Sequence, residues 1–139
     1  DTLYGEDGDD TLVGSAGNDV LYGGNHTINL SNDQGTTAAY IGKGDTADYS
    51  SSSSGIVVNM GANQVLNNSN TWAVSNDGLG GKDDLDGIEN IVGTNYSDNV
   101  IGDSNNNYIF GGAGNERVHP RQKAQQARTQ GQAKQTLCC

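Results

Sequence analysis

Three aspartates near the start of the chain, Asp1, Asp10 and Asp19, stand nine residues apart, and three glycines, Gly5, Gly14 and Gly23, keep the same interval. Carboxylates that return at one phase beside Gly-rich backbone suit one kind of chemistry. Turn carbonyls pointing inward, together with a charged side-chain oxygen, make an all-oxygen shell for a hard cation. Asp and Asn also fill turns for conformational reasons alone, but that use does not require an acid at the same phase three times. Leu3, Leu12 and Leu21 repeat on the same clock. A nine-residue period fits neither a 3.6-residue helix nor a simple alternating strand, so the repeated unit is a tight turn plus a short strand. Residues 5–10 are then the first turn and 11–13 the first strand, with Leu12 and Leu21 inward and Thr11 and Val13 outward.

The clock returns downstream. Gly93, Gly102 and Gly111 are again nine apart, with Val100, Ile109 and Val118 in the strand phase. The acid track here reads Asp98, Asn107 and Glu116, preceded one step upstream by Glu89 with Ile91 as its inward partner. Asn offers a neutral oxygen and Glu a longer arm, so these later turns are expected to bind a cation more weakly than the first block.

The stretches "GEDGDDTLV" and "GSAGNDVLY", residues 5–13 and 14–22, resemble the glycine-rich nonapeptide GGxGxDxUx of the RTX family. Both depart from it at the second Gly, carrying Glu6 and Ser15. The resemblance implies an all-β fold, a parallel β-roll or β-solenoid with calcium-binding turns. It also implies Ca2+ as the bound ion and export by bacterial type I secretion to an extracellular location. In the family one coil spans two nonapeptides. Carried over residue by residue, Asp1 pairs with Asp19 around the 14–19 turn, Asp10 faces the turn at Gly23, Gly24 and Asn25, and Asp98 faces Glu116 around the 111–116 turn. Carbonyls around Gly5, Asp7, Gly14, Ala16, Gly23, Gly111 and Ala113 would complete the shells, and Glu89 and Asn107 fall in the acid phase. Similar modules follow proteases, lipases, alginate epimerases, pore-forming toxins and adhesins, so the parent activity stays open. A repeat adhesin or surface-layer segment that binds polysaccharide is the alternative to a calcium-induced folding module.

Composition fits a thin core. Of 139 residues, 32% are hydrophobic and 6% aromatic, while 21 are Gly, too little apolar material for a large conventional core. The net charge of −10 argues against nucleic acid or an anionic membrane as partner. No apolar run approaches the roughly 18 residues of a membrane helix. Catalytic constellations are missing: the two histidines, His26 and His119, sit in no H-E-x-x-H, and Ser15 in "GSAG" is a turn residue, not a nucleophile elbow. The chain is therefore expected not to be an enzyme itself, and Asp83, Asp84, Asp86 and Glu89 are expected to be a charged face. Residue 1 falls inside a repeat, which suggests a fragment of a longer protein.

Four regions follow: repeats over 1–24, an irregular β-rich connection over 25–92, a degenerate repeat block over 93–118, and a basic tail over 119–139. The connection is read as β-coils and hairpins of the same solenoid. Its run Ser50–Ser54 fits a linker or an ordinary Ser-rich turn. Residues 117–139 hold five of the seven basic residues and no acid, whereas 1–116 set two bases against seventeen acids, a charge of −15. That composition predicts a disordered C-terminal tail, either a frameshifted reading or a genuine basic extension. Cys138 and Cys139, adjacent and terminal, form no disulfide framework.

Overall fold

Gly-rich turns every nine residues leave room for strands of only two or three residues, and the chain makes them so. The computed structural model describes residues 1–25, 44–62, 71–105 and 107–119. Among these residues all helix is absent and eleven short strands carry the fold: β1 (Thr2–Tyr4), β2 (Thr11–Leu12), β3 (Val20–Tyr22), β4 (Thr46–Asp48), β5 (Val57–Asn59), β6 (Val74–Asn76), β7 (Asp84–Asp86), β8 (Asn90–Val92), β9 (Asn99–Ile101), β10 (Tyr108–Phe110) and β11 (Arg117–His119).

The strands lie in three sheets, ordered β1-β3-β7, β2-β4-β8-β10 and β6-β5-β9-β11. Consecutive strands of the first block therefore alternate between sheets, and strands two units apart pair in parallel. Thr2 is opposite Val20, Asn90 opposite Tyr108 and Asn99 opposite Arg117, each a separation of eighteen residues. A two-unit period is what a parallel stack of nonapeptides requires. In the parallel strands the apolar residue that follows the first points inward and meets its counterpart in register, whereas in the antiparallel β6 the middle residue, Ser75, is exposed. Leu3, Leu21 and Leu85 form one apolar column, Leu12, Ala47, Ile91 and Ile109 a second, Val58, Val100 and Val118 a third. Leu21, Ala47 and Ile91 are fully buried, and Leu3 and Val118 pack on the cluster from the two ends. The expected inward placement of Leu12 and Leu21 holds, and Val13 is exposed.

Residues 44–62 and 71–92 join the same sheets by stretching the register. Thr11 is opposite Thr46, a separation of 35, and Val20 opposite Asp84, a separation of 64. The added chain leaves the strand phase intact because only the residues between turns lengthen. One pair runs the other way: β6 folds back antiparallel on β5, and an isolated bridge from Val74 to Asp83 ties it to the start of β7. The serines are used as a turn. Ser52 Oγ donates to the Asp77 carbonyl at 2.7 Å, and Ser53 and Ser54 Oγ to that of Gly78.

Two expectations need correction. His119 is not the first residue of a loose tail but the last of β11, opposite Ile101, because the strand phase persists three residues past Glu116. Asp83 and Asp84 are not part of an exposed charged face: they are 0% and 1% exposed, Asp83 because it occupies the acid phase beside Asp19. The tail at 120–139, His26 and residues 26–43 and 63–70 lie outside the described residues.

Candidate metal centre

The acids of the repeat phase line up along the sheets because the turns that carry them are in register. The backbone N–H of one acid residue donates to the carboxylate of the acid stacked on it: Asp10 to Asp45 Oδ1 at 2.8 Å, Asp19 to Asp83 Oδ1 at 3.1 Å, Asp45 to Glu89 Oε2 at 2.9 Å. The α-amino group of Asp1 makes the corresponding contact with Asp19 Oδ1. Asp98 Oδ1 accepts from Ile56 N–H at 2.9 Å. One carboxylate oxygen of each is thus spent on the ladder.

The second oxygen separates the turns into two kinds. Oδ2 of Asp10 and of Asp19 is buried and meets no donor. Each lies over the glycine that opens its own turn, so a Cβ on Gly5 would come within 2.9 Å of Asp10 Oδ2 and one on Gly14 within 2.7 Å of Asp19 Oδ2. Gly23 stands in the same relation to Asp45 Oδ2, at 2.5 Å. The Gly23 carbonyl oxygen also crowds the Gly5 position, 2.5 Å from where Cβ would stand, which brings a carbonyl and a carboxylate oxygen to one point. Buried carboxylate oxygens without a donor are costly, and the cost disappears when a cation binds them.

In the downstream turns protein donors fill that place. Asp98 Oδ2 accepts Thr94 N–H at 2.8 Å and Oδ1 also accepts Thr94 Oγ1–H at 2.9 Å. Asn107 Oδ1 accepts Asp103 N–H at 2.9 Å. Glu116, with a longer arm, curls over Gly111 and accepts Gly114 N–H at 2.6 Å.

Backbone conformation at the second residue of the turn accounts for the Asp98 and Asn107 turns, while Glu116, in a turn with a left-handed Gly112, reaches the N–H of Gly114 instead. Glu6 and Ser15 are left-handed, with φ of 73° and 71°, as are Gly24 and Gly112 in the same phase. Thr94 and Asp103, also in that phase, are not left-handed, and it is their N–H groups that reach the acid. A left-handed second residue keeps its N–H off the carboxylate. The missing second glycines have therefore not changed the turn, although a side chain in this region costs about 1–2 kcal/mol.

The remaining residues expected at the site are more peripheral. Asp7 and Asn25 are exposed and bridge neighbouring turns, with Asn25 Nδ2 donating to Asp7 Oδ1 at 3.3 Å. Ala16 and Ala113 are exposed turn residues. Asp1 is exposed and its carbonyl accepts Val20 N–H. Asp98 and Glu116 are stacked through Arg117 N–H on the Asp98 carbonyl, but the Asp98 side chain accepts from Thr94 and Ile56 and that of Glu116 from Gly114.

Three carboxylates at the site escaped the sequence reading: Asp45, Asp83 and Asp77. Shifting 14–19 by the β3 to β7 register places "GLGGKD", residues 78–83, on "GSAGND". Its G-x-x-G-x-D-x-L spacing was a usable signal, hidden because Leu85 and Ile91 are six residues apart instead of nine. In this turn Asp83 Oδ2 accepts the hydroxyl of the buried Tyr49 at 2.9 Å. Burial pushes the Asp83 carboxyl up to about 6, the carboxylates of Asp19 and Asp77 adding to the rise while the Tyr49 hydroxyl and Asp19 N–H hold it back. Burial also raises Tyr49, with Asp83 next in effect. Among the described residues no three carboxylate, imidazole or thiol groups converge as a ready-made cluster. A cation here would draw on one or two carboxylates and otherwise on backbone carbonyls, a donor set suited to a hard ion.

The RTX calcium-binding nonapeptide repeat matches this chain in four copies, over residues 1–25 and 83–118. No curated protein and no solved structure matches it significantly. Among the described residues no helix is long and apolar enough to cross a membrane.

Proposed function

With RTX calcium-binding nonapeptide repeats at both ends of its strand array, we propose that this chain is a calcium-dependent β-roll, a module of an exported bacterial protein whose folding is coupled to binding Ca2+. The observation that carries the reading is the pair of buried, donor-free Oδ2 atoms of Asp10 and Asp19, each held over a glycine turn. Asp10 and Asp19 would hold calcium with carbonyls of the stacked turns, as at Gly23 beside Gly5. When bound, the ion supplies positive charge to a chain segment that carries −15 over residues 1–116. The role is binding, and no catalytic step is assigned to these residues.

Coupling follows from mass action. Each ion that binds only the folded chain stabilises it by RT ln(1 + [Ca]/Kd), about 1.4 kcal/mol at tenfold excess over Kd. Extracellular calcium modules work at Kd of roughly 10⁻⁴–10⁻³ M, so the roll would order outside the cell and stay loose in a low-calcium cytosol, the state a type I secretion channel requires. Far-UV circular dichroism tests this. The full chain should lose β signal in chelator and regain it cooperatively with millimolar calcium, while magnesium, which demands near-ideal octahedra, should not substitute. A β-rich chain indifferent to calcium would defeat the reading.

One observation favours the alternative of a polysaccharide-binding solenoid. Tyr4 and Tyr22, eighteen residues apart, stack at 4.9 Å with their rings 5° from parallel, and Tyr4 is largely exposed. Soluble glycans that quench tyrosine fluorescence in the intact chain, and not in Tyr4→Ala, would support it.

A further inference from the structure

Asp77 lies outside the matched repeats yet is as buried as any acid among the described residues, at 0% exposed. Its Oδ1 accepts the N–H groups of Leu79 at 2.7 Å and Gly81 at 2.8 Å, which closes the turn after β6. Its Oδ2 has no partner, and no cationic side chain among the described residues pairs with it. That oxygen is 2.8 Å from the point where Gly81 would carry a Cβ, and the Gly17 carbonyl oxygen crowds the same point.

The 77–83 turn therefore stacks on the 14–19 turn. Lys82 N–H donates to Asn18 Oδ1 at 3.0 Å, Asp19 N–H to Asp83 Oδ1, and Asp84 N–H to the Asp19 carbonyl at 2.9 Å. The Asp19 carboxylate points the other way, to the Asp1 α-amino group and its own Gly14. Asp83, the acid that the repeat phase puts in this turn, has both oxygens engaged by Asp19 N–H and Tyr49 OH. The turn thus keeps its repeat-phase acid closed and presents Asp77 instead. The hydroxyls of Ser52, Ser53 and Ser54, on the carbonyls of Asp77 and Gly78, fix that presentation.

We infer that Asp77 holds a divalent cation of the calcium class together with the Gly17 carbonyl, at the junction between the first repeat block and the inserted hairpin. The inference rests on the calcium reading above, and adds to it a ligand from outside the repeats. A buried, donor-free carboxylate oxygen and a carbonyl oxygen brought to one point over Gly81 are an oxygen-only pair that a hard cation neutralises.

The test is calorimetric titration of the full chain with calcium alone, with magnesium as control, and thermal melts in chelator and in calcium. Asp77→Asn keeps the turn acceptor and removes the charge. It should bind one ion fewer, or that ion at least tenfold more weakly, melt in chelator no lower than the parent, and gain less from calcium. Asp19→Asn, whose carboxylate serves the other side of its turn, should leave this ion in place. Should Asp77→Asn fail to fold, Asp77→Ser, whose hydroxyl can also accept Leu79 N–H, carries the same expectation. Unchanged stoichiometry and affinity in the Asp77 variants of a calcium-binding parent would overturn the Asp77 site and leave the repeat reading standing. Equal destabilisation in chelator and in calcium would overturn it too, by making Asp77 a turn residue only. A parent that ignores calcium would defeat the repeat reading first.

Discussion

The 14–19 and 93–98 turns share a glycine, a five-residue spacing to an aspartate and a buried carboxylate, yet they resolve that carboxylate differently. Asp19 leaves Oδ2 without a donor, whereas Asp98 fills both oxygens from Thr94 and Ile56. On the proposed reading Asp19 is left open to an ion, whereas Asp98 is filled by the chain's own donors. The difference turns on one residue: a left-handed Ser15 withholds its N–H, and Thr94, in the same phase, delivers N–H and hydroxyl together. A degenerate repeat need not be a weakened ion site. It can be a turn in which protein donors do the cation's work.

The largest effect expected from this contrast is regional. In excess chelator, hydrogen exchange should deprotect the amides of β1–β3 well before those of β9 and β10, because only the first set depends on an ion to neutralise its acids. Uniform loss of protection would erase the distinction between the two regions. Next come the acids themselves. Asp98→Ala leaves the buried N–H groups of Ile56 and Thr94 without acceptors and should cost about 3 kcal/mol in urea unfolding, alike with and without calcium. Asp10→Asn should instead weaken calcium binding tenfold or more and leave stability in chelator equal or higher, since it removes a buried charge that has an oxygen without a donor. An Asp98 variant that behaved like Asp10→Asn would show that Asp98 is a ligand after all. The smallest effect concerns the strained second residue. Glu6→Gly and Ser15→Gly should each stabilise the calcium form by about 1 kcal/mol in thermal melts, since Gly takes a left-handed φ without a Cβ clash. Thr94→Gly should do the reverse, losing its hydroxyl bond to Asp98.

The strand phase was legible because each inward residue, such as Leu12, Leu21, Ile91 or Ile109, must be apolar to lie in a shared column, and composition records that demand. The acid phase was legible as long as the clock ran. It failed at Asp45, which completes the turn begun at Gly23 only after seventeen extra residues, and at Asp83, whose unit is followed by a strand three residues early. Asp77 obeys no clock: hairpin geometry, not periodicity, brings it to the 14–19 turn. The division between donor-free and donor-filled acids was legible nowhere. It depends on which way one peptide group faces, and Ser15 and Thr94 are near-equivalent as letters.

The 64-residue register between β3 and β7 has a consequence for how the chain assembles. Pairings eighteen residues apart, such as β1 with β3 or β8 with β10, close short loops and can zip locally. Joining β3 to β7 closes a loop more than three times longer, about 1 kcal/mol dearer in chain entropy, and it waits on the inserted hairpin. The molecule should therefore fold as two local segments that meet late along one seam. Asp77 and the Gly17 carbonyl meet across that seam, so an ion seated there would latch the two halves after each has formed.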